Sequence, residues 1–214
     1  MANAKVWKNV AVAMESARAA AKTITVVTKA NPGVASSTAH GFANGDILIL
    51  EVQGMFQIDQ RVVRVAGVAA DTFQLEGIDT TGFETFVSGT AAKLTMGTSI
   101  TTATTVNPSG GDFDFIDTTT IHAAQRSQIP GLPSASTFGM DHIHDVSDAG
   151  LLAMKTASDA QQKKAFVFTF GQGGQKMYFA GYVGASLLPG GQSQGLVTTT
   201  TAITMEGVAT YYAS

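Results

Sequence analysis

Short apolar segments separated by turn residues recur along this chain, and they constrain its fold more than any other feature. Gly45-Asp46 precedes one such segment, Gly54 follows it, and Ser88-Gly89-Thr90 follows another. Segments of about five residues are too short for stable helices but suit strands joined by tight turns. The strands predicted in the first half are 10–14, 47–52, 61–65, 72–75 and 83–87, with another beginning at 24. Residues 24–94 are therefore predicted to form a small β-barrel-like module.

The N-terminal segment has a second interpretation. Val10, Val12 and Met14 alternate with small residues, which favours a strand, although Val6, Val10 and Met14 would also share one face of a helix. The apolar stretch between Lys8 and Glu15 is too short for a secretory signal, and no apolar run approaches the length of a membrane span. We expect a protein that is made and used without export and without a membrane partner.

One helix is predicted in the second half of the chain, among further strands. Ser147 or Asp148 can cap its N-terminus, and good helix formers continue to Lys164. The alternating phenylalanines of 166–170 predict a strand. The other predicted elements are a strand over 138–146, a hairpin turn at 171–174, a strand over 177–185 and one long or two short strands over 196–212. The predicted fold class is α+β, mainly β.

Two stretches in the middle of the chain are predicted to be loops. Residues 107–112 combine Asn, Pro, Ser and two Gly, and residues 127–136 contain Ile129-Pro130-Gly131-Leu132-Pro133. Each proline restricts its own φ and the residue before it, so an extended, turning backbone is expected there. Between the loops, Asp112 and Asp114 alternate with Phe113 and Phe115, which predicts a strand with one solvated face.

The low charge content suggests a surface that is neutral or hidden against other copies. Only 14% of the residues are charged, against about a quarter in an ordinary soluble domain. The 27 threonines are β-branched and suit half-exposed strands. The formal charge is −3, but residues 71–159 carry −8, while 1–70 and 160–214 carry +3 and +2. An acidic middle could repel nucleic acid, although solvated turn aspartates are the simpler explanation.

No catalytic, metal-binding or cofactor-binding site is predicted. His142 and His144 would share one face of a strand, a spacing that can bind a metal, but Asp141 and Asp145 would lie on the opposite face and complete no ligand set. The sequence contains no cysteine, no Gly-x-Ser-x-Gly motif and no phosphate-binding loop. We therefore expect a protein that is not an enzyme and uses no cofactor; a metal-dependent hydrolase that uses the two histidines is the enzymatic alternative.

Two regions of the sequence resemble phage tail proteins. The residues His40–Asp46, Gly54-Met55, Arg61–Val65, Asp71–Gly77 and Ser88-Gly89 resemble a small β module common in such proteins. The stretch from Asp117 to Pro133, followed by a strand, the helix and the Phe-rich hairpin, is similar to the tail tube proteins of long, non-contractile-tailed (siphovirus-type) phages. Together the two regions cover most of the chain.

The resemblance implies a β-sandwich or barrel core with one flanking helix, formed by residues 1–23 and 95–214, into which the 24–94 module is inserted. It also implies rings of six subunits that stack into the hollow tube of the virion tail, after synthesis in the host cytoplasm. A tape-measure protein and a tail terminator are the implied partners, and DNA passes through the tube without specific binding. Because the module is not universal among tube proteins, a minor tail component that binds a receptor or glycan is the alternative.

Under this interpretation, the central loops carry the candidate site residues. The residues expected to contact neighbouring subunits are Asn107, Gly110, Asp112, Ile129, Pro130, Gly131 and Leu132. The residues expected to form an acidic face toward the lumen are Asp112, Asp114 and Asp117.

Overall fold

A computed structural model describes residues 9–171 and 174–213. Within them the chain forms fifteen strands, one α-helix and a 3₁₀ helix at Phe56–Ile58. The first strands are β1 (Ala11–Arg18), β2 (Lys22–Ile24), β3 (Val26–Val27), β4 (Val34–Ser36), β5 (Ile47–Gln53), β6 (Val62–Ala66), β7 (Thr72–Leu75) and β8 (Ser88–Ile100). The later elements are β9 (Ala103–Ser109), β10 (Phe113–Asp117), β11 (Gln128–Pro133), β12 (Thr137–Ile143), α1 (Ala149–Asp159), β13 (Lys163–Thr169), β14 (Lys176–Gly184) and β15 (Thr198–Tyr212).

Thirteen of these strands belong to one antiparallel sheet, and β10 and β11 form a separate pair. The order in the large sheet is β3-β4-β7-β6-β5-β8-β1-β13-β14-β15-β12-β9, with β2 also paired to β8. The first half of β8 pairs with β5 and its second half pairs with β1. This one strand therefore connects the sheet of the predicted 24–94 module to the rest of the molecule. The α+β, mainly β prediction is confirmed.

The central strands β13 and β14 are buried on both faces. Phe166 and Phe168 belong to a hydrophobic cluster under the helix, whereas Ala165 and Val167 belong to a cluster that faces β5 and β6. A third cluster, which includes Phe73, fills the interior of the 24–94 region. Strands covered on both faces read as continuous apolar runs, which is why Ala165–Phe168 contains no polar residue.

The helix begins where the sequence predicts. The Asp148 carboxylate accepts a hydrogen bond from the backbone N–H of Leu151 at 2.8 Å, which satisfies one of the free donors of the first turn. Leu151, Met154 and Ala157 are buried against the sheet. The helix ends at Asp159 rather than near 164, because the residues that follow Lys163 pair as a strand with both β1 and β14.

Side chains of the C-terminal strand β15 contact β6 and the adjoining Arg61 of the 24–94 region. The Tyr212 hydroxyl accepts a hydrogen bond from the backbone N–H of Arg64 at 2.7 Å, and the Arg64 guanidinium lies 4.5 Å from the ring centroid of Tyr212. Arg61 Nε donates to Thr210 Oγ1 at 2.9 Å. The division into a core and an inserted module stays a prediction, since β8 and these contacts join the two parts closely.

Several predicted boundaries differ from the structure. Residues 83–87 are not a strand: they form an irregular segment whose Val87 N–H donates to the Gln53 carbonyl, and 88–90 is the start of β8 rather than a turn. Residues 107–109 continue β9 instead of forming a loop, because they pair with β12. The strand predicted over 10–14 is confirmed by β1, while Val6 and Lys8 lie outside the described residues, as do Gln172 and Gly173 of the predicted 171–174 turn.

Candidate assembly surface

A hairpin arm, residues 110–135, extends from the large sheet between β9 and β12. Among the described strands, β10 and β11 pair only with each other, with Ile116 opposite Ile129. The arm begins where β9 and β12 are themselves paired, at Ser109 opposite Thr137. It is therefore a separate two-stranded extension from one end of the sheet.

The base of the arm is narrow and is built from glycines. Gly110 and Gly111 have φ of +79° and +86°, which disfavours residues with a Cβ. A Cβ on Gly110 would lie 2.1 Å from the carbonyl oxygen of Ala135 on the returning strand. The Gly111 N–H donates to the Ser134 carbonyl at 3.2 Å, and the Ser134 N–H donates to the Asp112 carbonyl at 2.9 Å. The two sides of the base are thus in direct contact.

Both faces of the arm expose large apolar side chains. Leu132 is 85% exposed and Ile121 is 96% exposed. The other exposed apolar residues of the arm are Phe113, Phe115, Ile116 and Ile129. The sequence pattern predicts one solvated face for β10, but all five of its residues are exposed. A two-stranded hairpin with apolar residues on both faces, left uncovered by the described residues of its own chain, indicates a surface that contacts another molecule.

The tip of the arm, residues 118–127, is closed by its own hydrogen bonds. The Thr118 N–H donates to the Ser127 carbonyl at 2.9 Å, and the Ser127 N–H donates to Thr119 Oγ1 at 3.0 Å. Ile121 lies in this tip, and Arg126 is its one Lys or Arg residue. No Asp or Glu lies in the tip, so it carries a net positive charge.

The predicted contact residues fall on the arm, with one exception. Gly110 and Asp112 lie in its base, and the remaining four lie in β11: Ile129, Pro130, Gly131 and Leu132. The loop predicted over 127–136 is wrong, because Gln128–Pro133 pairs with β10 as a strand, whereas the extended backbone expected for 129–133 is confirmed. Asn107 lies in β9 of the large sheet, opposite Gly139, and is not part of the arm.

The three aspartates predicted to form an acidic face are all exposed on the arm. Asp112 is in the base, and Asp114 and Asp117 are in β10. The hydroxyl and the backbone N–H of Thr119 both hydrogen-bond Asp117, and the pKa of that carboxyl is lowered. Asp117 is therefore ionised near neutral pH and contributes a negative charge to the arm.

A second exposed apolar surface lies at the other end of β12, and we call it the distal patch. It consists of Ile143, Val146, Leu196 and Val197, all exposed. The segments that carry it are joined by a hydrogen bond from the His144 N–H to the Val197 carbonyl at 2.9 Å. No local sequence pattern predicts this surface, because the 143–146 and 196–197 segments become neighbours only through the fold.

The predicted histidine pair does not form a metal site in the described part of the chain. His142 is fully buried, and its two ring nitrogens lie 3.2 Å from Thr102 Oγ1 and 2.8 Å from Thr201 Oγ1. Burial lowers the pKa of His142 below its usual value, despite the opposing effect of Asp141. No group of three potential metal-ligating side chains occurs among residues 9–171 and 174–213.

An open groove of about 860 Å³ beside the helix also lacks a reactive set of side chains. Its charged residues are Asp141, Lys155 and Asp159. Lys155 forms an ion pair with Asp159 one helical turn away, and Asp141 accepts a hydrogen bond from Thr105. Across residues 9–171 and 174–213, no helix is both long and apolar enough to cross a membrane.

Comparison with protein families identifies a match over most of the chain. The family model described as phage tail tube protein, TTP, matches residues 53–214, about three quarters of the sequence. The matched region begins inside the predicted module and contains the arm, the helix and the distal patch. The search of curated proteins found no match.

Proposed function

Because this chain belongs to the phage tail tube protein family, as the match over residues 53–214 shows, we propose that its copies form stacked hexameric rings. The stacked rings make the hollow tube of a long, non-contractile tail, which conducts DNA at ejection. Family membership by itself identifies the chain as a structural component of the virion tail.

The exposed arm is the observation that carries the proposal. Its large apolar side chains, with Leu132 and Ile121 the most exposed, are not covered by any part of the chain that the structure describes. Burying a side chain of this size contributes about 1.5–3 kcal/mol. An isolated protein gains nothing from keeping these residues in water, whereas an assembly recovers their burial at each contact between copies.

The sheet also offers an edge for lateral contacts within a ring. Within residues 9–171 and 174–213, β9 is the terminal strand of the large sheet, and only one of its sides is paired, with β12. An unpaired edge favours the addition of a strand from another chain, and closing a ring of subunits removes such edges. We assign the ring contacts to β9, which includes Asn107, and to the adjoining arm base, which includes Gly110 and Asp112.

The low charge and the acidic arm suit a conduit for DNA. Only 14% of the residues are charged, and the arm shaft carries Asp112, Asp114 and Asp117. Carboxylates that face the lumen would repel the DNA phosphates and reduce friction without specific binding. The tape-measure protein that occupies the tube during assembly and the terminator that ends it are the further partners we propose. The proposed function of this chain involves no cofactor and no enzymatic step.

Electron microscopy of the purified chain tests the proposal. We expect hollow tubes with a regular ring repeat at high protein concentration. A variant that lacks 112–133, with Gly111 joined directly to Ser134, should keep the fold, because these residues already approach each other at the arm base. It should remain monomeric at concentrations where the complete chain polymerises.

Copy number in the virion distinguishes the tube from the alternative. A tube protein is among the most abundant virion proteins, whereas a receptor- or glycan-binding tail component is present in few copies. A complete chain that stays monomeric at all concentrations and is scarce in the virion would refute the tube proposal.

A further inference from the structure

The arm and the distal patch adjoin opposite ends of β12. The arm joins β12 at Thr137, and the patch begins at Ile143, the last residue of that strand. The seven residues of β12 span roughly 20 Å. A protruding element at one end and an uncovered surface at the other are what a head-to-tail contact between identical copies requires.

The two surfaces also have matching chemistry. The tip exposes Ile121 and the cation Arg126. The patch exposes Val146, which is 72% accessible, and Leu196, which is 67% accessible, beside the anion Asp145. An apolar contact flanked by opposite charges gives both affinity and a defined orientation.

The patch is built to keep its charge and shape without a partner. Asp145 Oδ1 accepts hydrogen bonds from the Ser147 N–H at 2.8 Å and from the Ser147 hydroxyl at 2.6 Å. These bonds lower the pKa of Asp145, so it stays ionised near neutral pH. Gly190 and Thr198 exchange two backbone hydrogen bonds of 2.8 Å, which close the loop that carries Leu196 and Val197.

We infer that the distal patch of one copy receives the arm tip of the next, with Ile121 against Val146 and Leu196 and with Arg126 beside Asp145. This inference rests on the proposed tube and identifies the surface that its arm binds. The contact is directional, since the tip and the patch are different surfaces. It therefore repeats along a stack of rings and leaves a free patch at one end and free arms at the other.

Cysteine cross-linking tests the contact directly, because the chain contains no cysteine. The double variant Ile121→Cys/Val146→Cys should form disulfides between copies under mild oxidation, since a disulfide requires Cα atoms within about 7 Å. Non-reducing gels should show a ladder of covalent oligomers. The matched control is Ile121→Cys/Val87→Cys, because Val87 is similarly exposed but lies outside the patch. It should give no ladder.

A charge exchange provides an independent measurement. Arg126→Asp and Asp145→Arg should each raise the protein concentration needed for assembly about fivefold, as expected for a partly exposed ion pair. The combined variant should restore assembly to near the original concentration, which a purely structural role of either residue does not predict. If a cysteine variant itself fails to assemble, restoration in the charge exchange decides the question.

The outcomes separate the two levels of inference. Tubes with a patch-specific ladder, or with restoration by the charge exchange, support the contact. Tubes without either result overturn it and leave the proposed tube function intact. Failure of the unaltered chain to form any tube overturns the proposed function and this contact with it.

Discussion

Leu132 of the arm offers a sharp test of the assembly surface, through the substitution Leu132→Ser. The side chain is 85% exposed, so the isolated chain has almost nothing to lose from its removal. Burial of this exposed fraction at a contact between copies contributes about 2 kcal/mol. Ordering the side chain costs about 0.6 kcal/mol. The net loss of about 1.4 kcal/mol per contact corresponds to about a tenfold weaker association.

The assay is a concentration series in which polymer is separated from monomer by sedimentation. The critical concentration for tube formation should rise about tenfold in the Leu132→Ser variant. Thermal unfolding of the monomer should change by less than about 0.5 kcal/mol, as expected for a surface substitution. This separation of assembly from stability is the signature of an interface residue.

The matched control is Val87→Ser, which removes another exposed apolar side chain from a position outside the arm. It should leave the critical concentration within about twofold of the unaltered chain, a difference well below 1 kcal/mol. A contact between copies at Leu132 is refuted if Leu132→Ser assembles as readily as the unaltered chain. That contact is also refuted if Val87→Ser weakens assembly equally, because exposure alone would then explain the effect.

Three further predictions concern the stability of the subunit itself. Phe179→Ala removes a fully buried ring from the cluster under the helix and should cost about 3–5 kcal/mol in urea unfolding, whereas Val208→Ala on an exposed part of β15 should cost far less. Gly207→Ala should cost about 1–3 kcal/mol, because Gly207 has a φ of +67° and its added Cβ would lie 2.8 Å from the Asp59 carbonyl; an unchanged unfolding midpoint would contradict this close approach. Burial lowers the pKa of His142 in the folded state, so the neutral imidazole stabilises the fold fully above pH 6.5. This stabilisation is lost as the pH falls through the folded-state pKa. The unfolding free energy should therefore decrease by up to about 1.4 kcal/mol per pH unit below pH 6.5, and His142→Gln should reduce that slope, while substitution of the exposed His122 should not.

Local patterns predicted most of the elements correctly. The Asp148 cap, the alternating phenylalanines of 166–170 and the prolines of 129–133 each act through short-range geometry, so their effects can be read without the fold. The errors lie where a distant partner decides. Residues 88–90 contain a glycine typical of turns, yet they pair with β5, and residues 107–109 continue as a strand because β12 lies beside them.

The candidate site was accessible to sequence reasoning only in part. The prolines and glycines of 107–136 marked an unusual segment, and Gly110, Ile129 and Leu132 do lie on the arm. The pattern of Phe113 and Phe115 predicted a strand with one solvated face, but all five residues of β10 are exposed. The distal patch was not predicted, since it combines two segments about fifty residues apart in the chain.

The sequence is sufficient to predict a chain rich in strands, with one capped helix and without the residue sets of common catalytic sites. Those properties follow from side-chain periodicity, backbone restrictions and chemical inventory, which are local. The exposure of the charged and apolar residues of 110–135 is visible only in the tertiary structure. The same holds for the surface that Asp145, Val146 and Leu196 form at the other end of β12. Burial and adjacency depend on which strands pair across the whole chain, so exposure of an apolar residue is a property of the fold.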